Sequence, residues 1–276
     1  MDIDISIVMA YYNRRNLLLN NLRDMAGRDM HGVEIIIVDD GSTSEHEIFD
    51  VCTLFDLNIR LIRIETKDKK ITNPYSDTRL NPCVSFNIGF KQAIGRIIVL
   101  QNPECIYIGD MIGHIRSNIG ANKYLNYACY SIDFLNTDRI TAGGEPAKVI
   151  LPINNAIPKA NCDNAWYNHS KYNPSLLHFC SVMTRDDLYD LGGFDERYSN
   201  GLAYDDNDFL MRIQRKGMEI IQIDEPFVVH QAHKSAFLGD WANMGKMMAI
   251  NHDIFQKAKK ETGWDVKKHN KIFTYA

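Results

Sequence analysis

Two apolar runs near the N-terminus, each breaking into polar, turn-forming residues, constrain this chain more than any other feature. The first is Ile5-Ser6-Ile7-Val8-Met9-Ala10-Tyr11-Tyr12-Asn13-Arg14. The second is Glu34-Ile35-Ile36-Ile37-Val38-Asp39-Asp40-Gly41-Ser42. Runs bounded this way read as buried parallel strands that end at one ligand-binding edge. In open α/β sheets, nucleotides bind in the crevice beyond the carboxyl ends of the strands. Asp39 and Asp40 can accept hydrogen bonds from a base or ribose, and Gly41 permits a sharp turn. The pattern points to a nucleotide-linked substrate.

Between the two runs, Asn13 can cap a helix whose apolar residues Leu17, Leu18, Leu22 and Met25 share one face, with Gly27 as its stop. Ser44-x-x-Glu47 reads as a capping box opening a helix to about Phe55, and residues 59–64 read as a third strand. The polar stretch 65–80 reads as an exposed loop. Asn81-Pro82 places a cap before a proline, predicting a helix to Ala93 that Gly95 ends, and 97–100 reads as a fourth buried strand. Such alternation predicts a parallel sheet covered on both faces.

Beyond residue 104 the pattern changes. Residues 124–135 read as a long strand, and 137–177, rich in Asn, Pro and Gly, show no periodicity. So long an irregular segment is usually functional. A strand (179–184), a helix (185–191), a helix (205–216) closed by Gly217, short strands (219–223 and 227–229) and a last helix (241–260) complete the reading.

Composition narrows the function class. The 276 residues suffice for one large α/β domain, and a formal charge of −4 leaves no basic footprint for nucleic acid. No apolar stretch reaches the roughly 18 residues of a membrane helix, and the first strand starts almost at Met1, which leads us to expect a cytoplasmic protein. Six scattered cysteines, none in a C-x-x-C pair, read as reduced and buried.

Four blocks in order resemble the GT-A fold glycosyltransferases, most of all the large inverting family 2, with an acceptor-side block similar to that of galactosyltransferases. They are Val8-Met9-Ala10-Tyr11-Tyr12-Asn13-Arg14, with Ala10 in place of the family's usual proline, Val38-Asp39-Asp40-Gly41-Ser42, and Asn87-x-Gly89 with Ala93-x-Gly95. The fourth is Gly192-Gly193-Phe194-Asp195-Glu196 followed by Asp205-Asp206-x-Asp208-Phe209 and Arg212. The resemblance covers roughly residues 3–235. It implies a mostly parallel, mixed central sheet flanked by helices. About 1–104 would form a Rossmann-like nucleotide-sugar half, about 105–235 an acceptor and catalytic half, and about 236–276 a helical extension. The implied reaction moves a sugar from a nucleotide-diphosphate donor, a uridine diphosphate sugar, to a hydroxyl of a glycan, glycolipid or protein.

The resemblance also assigns roles. Asp206 is expected as general base beside Asp205. Ala10, Tyr11, Tyr12, Asp39, Asp40, Asn87, Gln101 and Asn102 are expected around the donor. The family's Asp-x-Asp metal motif is replaced here by Gln101-Asn102-Pro103-Glu104, so Glu104 and His230 are the expected ligands of Mn²⁺ or Mg²⁺. On the acceptor side, Trp166 offers an indole face for a sugar ring, with His169 and His178 nearby in sequence and His233 weaker. Two competing readings remain. One is a non-catalytic nucleotide-sugar or glycan-binding homologue that lost its metal. The other is a sugar nucleotidyltransferase, disfavoured because residues 8–16 hold no glycine.

Overall fold

The computed structural model describes residues 2–64, 81–150, 164–234 and 241–261. The expected loop at 65–80, Cys162, and parts of the 137–177 segment and the 236–276 extension lie outside them. Strand β1 (Ile5–Tyr11) pairs in parallel with β2 (Val33–Asp39) on one side and β4 (Ile97–Gln101) on the other. Strand β3 (Ile59–Arg63) continues this parallel half beyond β2. On the far side of β4 the sheet turns mixed. Strand β8 (Cys180–Thr184) is antiparallel to β4 and to β6 (Lys123–Ser131). Strand β9 (Glu219–His230) is parallel to β6, and β5 (Cys105–Ile108) is antiparallel to β9. Strand β7 (Ala165–Asn168) pairs with β6, giving nine strands in one sheet among the described residues.

Both faces of the sheet are covered, which is why β1, β2 and β4 read as unbroken apolar runs. Successive strand residues point to opposite faces, so Ile5, Ile7 and Met9 meet Leu18, Leu22 and Met25 of α1 (Arg15–Ala26), while Val8 meets Phe86 and Phe90 of α3 (Cys83–Gln92). Burying each such side chain stabilises the fold by roughly 1.5–3 kcal/mol. The same α3 face holds Leu188 and Leu191 of α7 (Arg185–Leu191) and Phe209 and Ile213 of α8 (Asp205–Lys216). Gly89 lets α3 press onto β1, since a Cβ there would stand 2.3 Å from Val8 Cγ1.

Several local expectations are corrected. Asn13 does not cap α1. It adopts φ +52°, and its Oδ1 accepts from Thr43 N at 2.9 Å, tying the turn after β1 to the turn after β2. The capping box at Ser44 does not form. Tyr11 Oη donates to His46 O at 2.7 Å and Arg15 donates to Glu47 O, and these bonds hold the segment as one 3₁₀ turn before a four-residue helix, α2 (Phe49–Cys52). The long strand 124–135 ends at Ser131, because Asp133 Oδ1 accepts from Asn136 N and starts α5 (Phe134–Thr141). Its apolar run continues through exposed Phe134 and Leu135, so hydrophobicity alone placed no boundary there. The segment read as aperiodic carries α5, α6 (Pro146–Ile150) and β7. Strand β5 and α4 (Met111–Asn118) have no counterpart in the sequence reading, and the two short strands at 219–229 are one strand. The helix read at 241–260 is α9 (Trp241–Ala258). Cys52, Cys105, Cys129 and Cys180 are free thiols.

Candidate functional site

The turns after β1, β2 and β4 and the end of β9 gather along one edge of the sheet. Asp40 N donates to Tyr11 O, and Asn13 N donates to Ser42 Oγ, which places the Asp39–Ser42 turn against Tyr12, Asn13 and Arg14. Asp39 Oδ1 accepts from Ser42 N at 2.9 Å, and Oδ2 accepts from Arg63 at 3.0 Å. Asp39 is therefore buried and already bonded, so it shapes the turn and orients Arg63. Asp40 is buried beside it.

Glu104 stands at the centre of this edge. The Arg14 guanidinium donates to Glu104 Oε1, and the same oxygen lies 3.2 Å from His230 Nε2 and 3.5 Å from His233 Nε2. Burial favours the neutral acid at Glu104, but the Arg14 charge and the two imidazoles outweigh it and hold the carboxyl well below its ordinary range. Burial lowers the His230 pKa, against the pull of Glu104, so the ring is neutral at neutral pH and available as a ligand. Carboxylate and ring nitrogens of Glu104, His230 and His233 all lie within 4.8 Å of one another.

A buried amide clamp fixes this cluster. Gln231 Oε1 accepts from Asn20 Nδ2 at 2.8 Å, and Gln231 Nε2 donates to Leu17 O at 3.1 Å and to Glu104 O at 3.0 Å. Ala232 N donates to Thr137 Oγ1 at 2.8 Å. The segment between the two histidines is thereby fastened to α1 and α5. Neither Gln231 nor Arg14 was a sequence candidate, and His233 was expected on the acceptor side. The His230-x-x-His233 spacing was the signal available.

A cleft of about 670 Å³ opens beside the cluster, lined among others by Tyr12, Arg14, Arg15, His46, His233 and Lys234. Its excess of cationic side chains over Glu45 suits a polyanion such as a diphosphate.

Across residues His178 and Phe179 lies the second half of the site. The Phe179 ring packs on His230 at 5.5 Å between centroids, and His178 adjoins the start of α8. Asp205 is buried and Asp206 half-buried at that helix N-terminus. Burial raises both carboxyls, and the Asp206 charge raises Asp205 further, against hydrogen bonding from Asn81. Burial takes His178 down to about 4, so it is a neutral ring bonded through Nδ1 to Tyr124 Oη. Two consecutive residues before the helix, Ala203 and Tyr204, are left-handed at φ +59° and +67°. Such strain persists where the surroundings over-determine it. Here α9 supplies them: Asn251 Nδ2 donates to Ala203 O, and Tyr204 packs on His252 and Phe255.

Other expected residues hold the frame instead. Both amide atoms of Asn87 bond the Phe194 backbone at 2.8 Å, so Asn87 latches the Gly192–Glu196 turn rather than a donor phosphate. Gly193 must lack a side chain, since its Cβ would stand 2.5 Å from Asn87 Oδ1. Arg212 is fully buried, paired to Asp208 at 2.8 Å and donating to the carbonyls of Leu191 and Gly193. Gln101 is buried, and its amide bonds Cys105 O and Tyr107 Oη, which closes the β4–β5 turn and removes it from the donor set; Asn102 is half-buried in that turn. Tyr11 is buried with its phenol bonded, so only its backbone reaches the edge, while half-buried Ala10 packs on the core. Trp166 is not a sugar platform: it is buried against Tyr130 and Phe227. His169 packs on Trp166 and lies 3.4 Å from Asp224, away from α8. Tyr167, on the opposite face of β7, packs on Phe179 and His230.

The model of the family "Glycosyl transferase family 2" matches residues 6–188. The chain belongs to that family. Among curated proteins, this family 2 glycosyltransferase is 28% identical over 112 residues to an uncharacterized glycosyltransferase of Rickettsia conorii, covering 40% of this chain and 16% of that protein. It is also 28% identical over 109 residues to an uncharacterized glycosyltransferase of Haemophilus influenzae, covering 39% of each. The matches thus span well under half the length of these relatives. Among solved structures it is similar to the mannosyltransferase PcManGT from Pyrobaculum calidifontis in complex with GDP-Man and Mn²⁺. The TM-score is 0.57 at 16% identity over 95% of this chain and 65% of that one. S. aureus TarS residues 1–349 in complex with UDP-GlcNAc gives a TM-score of 0.56 at 14% identity, covering 98% and 70% of the two chains. At these identities the likeness is one of fold, and the fold is GT-A. Among the described residues of this glycosyltransferase, no helix is long and apolar enough to cross a membrane.

Proposed function

We propose that this glycosyltransferase transfers a sugar from a uridine diphosphate donor to a hydroxyl of a glycan, glycolipid or protein, with inversion and with Asp206 as general base. One observation carries the reading. A half-buried carboxylate of raised pKa stands at a strained helix start that touches His178, and the next residue, Phe179, packs on His230 of a metal-competent Glu–His–His cluster. In this reading the 1–104 half binds the nucleotide and the 105–235 half presents the acceptor and the base.

The residues fit a divalent cation. Glu104 Oε2 is buried with no hydrogen-bond partner among the described residues, which leaves its lone pairs for an ion. One carboxylate with two imidazoles suits Mn²⁺ better than Mg²⁺, which prefers oxygen. Glu104, His230 and His233 would hold the ion, whose charge, when bound, stabilises the departing diphosphate. Lys234 faces the same cleft and adds positive charge for the phosphates, while Arg15 there is paired with Asp50. Tyr12, Asn102 and the Asp39–Asp40 turn border the nucleoside.

Asp206 takes the proton of the acceptor hydroxyl as that oxygen bonds to the anomeric carbon. The bond from that carbon to the phosphate oxygen breaks, and its electron pair leaves with the nucleoside diphosphate. A base works best with a pKa near the operating pH, and burial moves Asp206 in that direction. The charge on Asp206 in turn raises Asp205 further, so Asp205 keeps its proton beside the base. The retained, tuned pair disfavours a purely binding homologue, which has no use for a proton acceptor.

The test is release of uridine diphosphate from uridine diphosphate sugars with Mn²⁺ and glycan acceptors. Asp206→Asn is expected to lose at least ~100-fold in turnover, within the range general base catalysis contributes, with donor affinity retained. Unchanged turnover removes Asp206 from the mechanism.

A further inference from the structure

We propose that Arg14 couples cation entry to donor binding: its guanidinium is the resident counter-charge of Glu104, displaced onto the donor diphosphate when the ion arrives. The inference rests on the metal centre proposed above and adds what governs its loading.

Three observations carry it. The Arg14 guanidinium bonds Glu104 Oε1, the oxygen that both histidines also approach, so it occupies the space an ion would share with them. Glu104 is the only carboxylate of the ligand cluster among the described residues, so its pairing with Arg14 offsets the one negative charge that cluster offers an ion. Arg14 is held on one side only: its side chain is 33% exposed and borders the cationic cleft, whereas the Glu104 side chain is 1% exposed and fixed. Of the two partners, Arg14 is the one with room to move.

Opposing demands follow. A divalent ion beside Glu104 meets a fixed positive charge a few ångströms away, a repulsion that low-dielectric surroundings strengthen. Moving the guanidinium into the cleft relieves it, but leaves a cation without its partner near Lys234 unless an anion is present. A diphosphate supplies that anion and accepts from the planar guanidinium in bidentate fashion. Ion and nucleoside diphosphate therefore each favour the state in which the other binds. By linkage the coupling is reciprocal.

The experiment measures Mn²⁺ affinity by electron paramagnetic resonance of the free ion, with and without saturating uridine diphosphate, in wild type, Arg14→Gln and Arg14→Lys. Circular dichroism confirms that each variant is folded. Wild type is expected to bind Mn²⁺ weakly alone and at least ~10-fold more tightly with the nucleotide. Arg14→Gln is expected to bind Mn²⁺ alone more tightly than wild type and to lose most of the nucleotide effect; Arg14→Lys should fall between. A merely structural Arg14 would weaken ion binding in both conditions, the opposite sign, and that result overturns the proposal. So does a nucleotide effect of equal size in wild type and Arg14→Gln, which leaves the metal centre standing. Wild type that binds no Mn²⁺ in either condition, while Glu104→Gln behaves identically, sinks the metal centre itself.

Discussion

Asp205 and Asp206 are held in an environment that costs the fold something. A buried carboxyl whose pKa is raised keeps its proton in the folded protein at a pH where the unfolded chain has released it. Its stabilising influence is full below the unfolded value, about 4, and is lost as pH climbs through the raised value. Asparagine cannot ionise. Asp205→Asn is therefore expected to unfold at higher temperature than wild type at pH 8 and at nearly the same temperature at pH 4, with turnover reduced. Thermal melts at the two pH values check this; an equal difference at both would mean that burial, not ionisation, sets the effect. The same shift places the acid limb of the wild-type pH–rate profile above the ordinary carboxylate range.

At the scale of elements, the strands that end at the site were legible because their chemistry is periodic. Buried runs at Ile5–Tyr11 and Val33–Asp39 need both faces covered, and residues of one type in sequence say so directly. The Gly192–Glu196 block was legible as a match but not as a function. Asn87, Gly193, Asp208 and Arg212 bond one another or the turn they hold, and a motif cannot reveal whether a polar residue faces a ligand or a neighbouring loop. Strand β7 shows the finest failure. Alternation sends Trp166 into the core and Tyr167 toward His230, and without a known register the choice between neighbours was open. Trp166→Ala is expected to cost about 3–5 kcal/mol of stability by leaving a cavity. Tyr167→Ala, by contrast, is expected to disturb Mn²⁺ affinity through loosened His230 at a smaller stability cost. Denaturant melts and ion titration on both variants separate the two; a stability loss larger for Tyr167→Ala contradicts the assignment of faces.

Across the molecule, ligands that bridge the two halves of the sheet should act on the fold as a whole. Binding to the folded state alone at 100 times the dissociation constant adds about 2.7 kcal/mol. Mn²⁺ with uridine diphosphate is expected to raise the unfolding temperature of wild type, and Glu104→Gln to lose most of the part due to the ion, as read by calorimetry. A nucleotide effect that ignores Mn²⁺ in both proteins would remove the ion from the site.

The amide clamp of Gln231 carries a temporal implication. It joins residues 211 positions apart, so the assembly of the Glu104–His230–His233 cluster is a late event in the life of each polypeptide. While the ribosome is still translating, α1 and the turn bearing Glu104 can fold, yet nothing closes over them until His230 and Gln231 emerge. Nascent chains shorter than this therefore lack the assembled cluster, however complete their N-terminal strands have become.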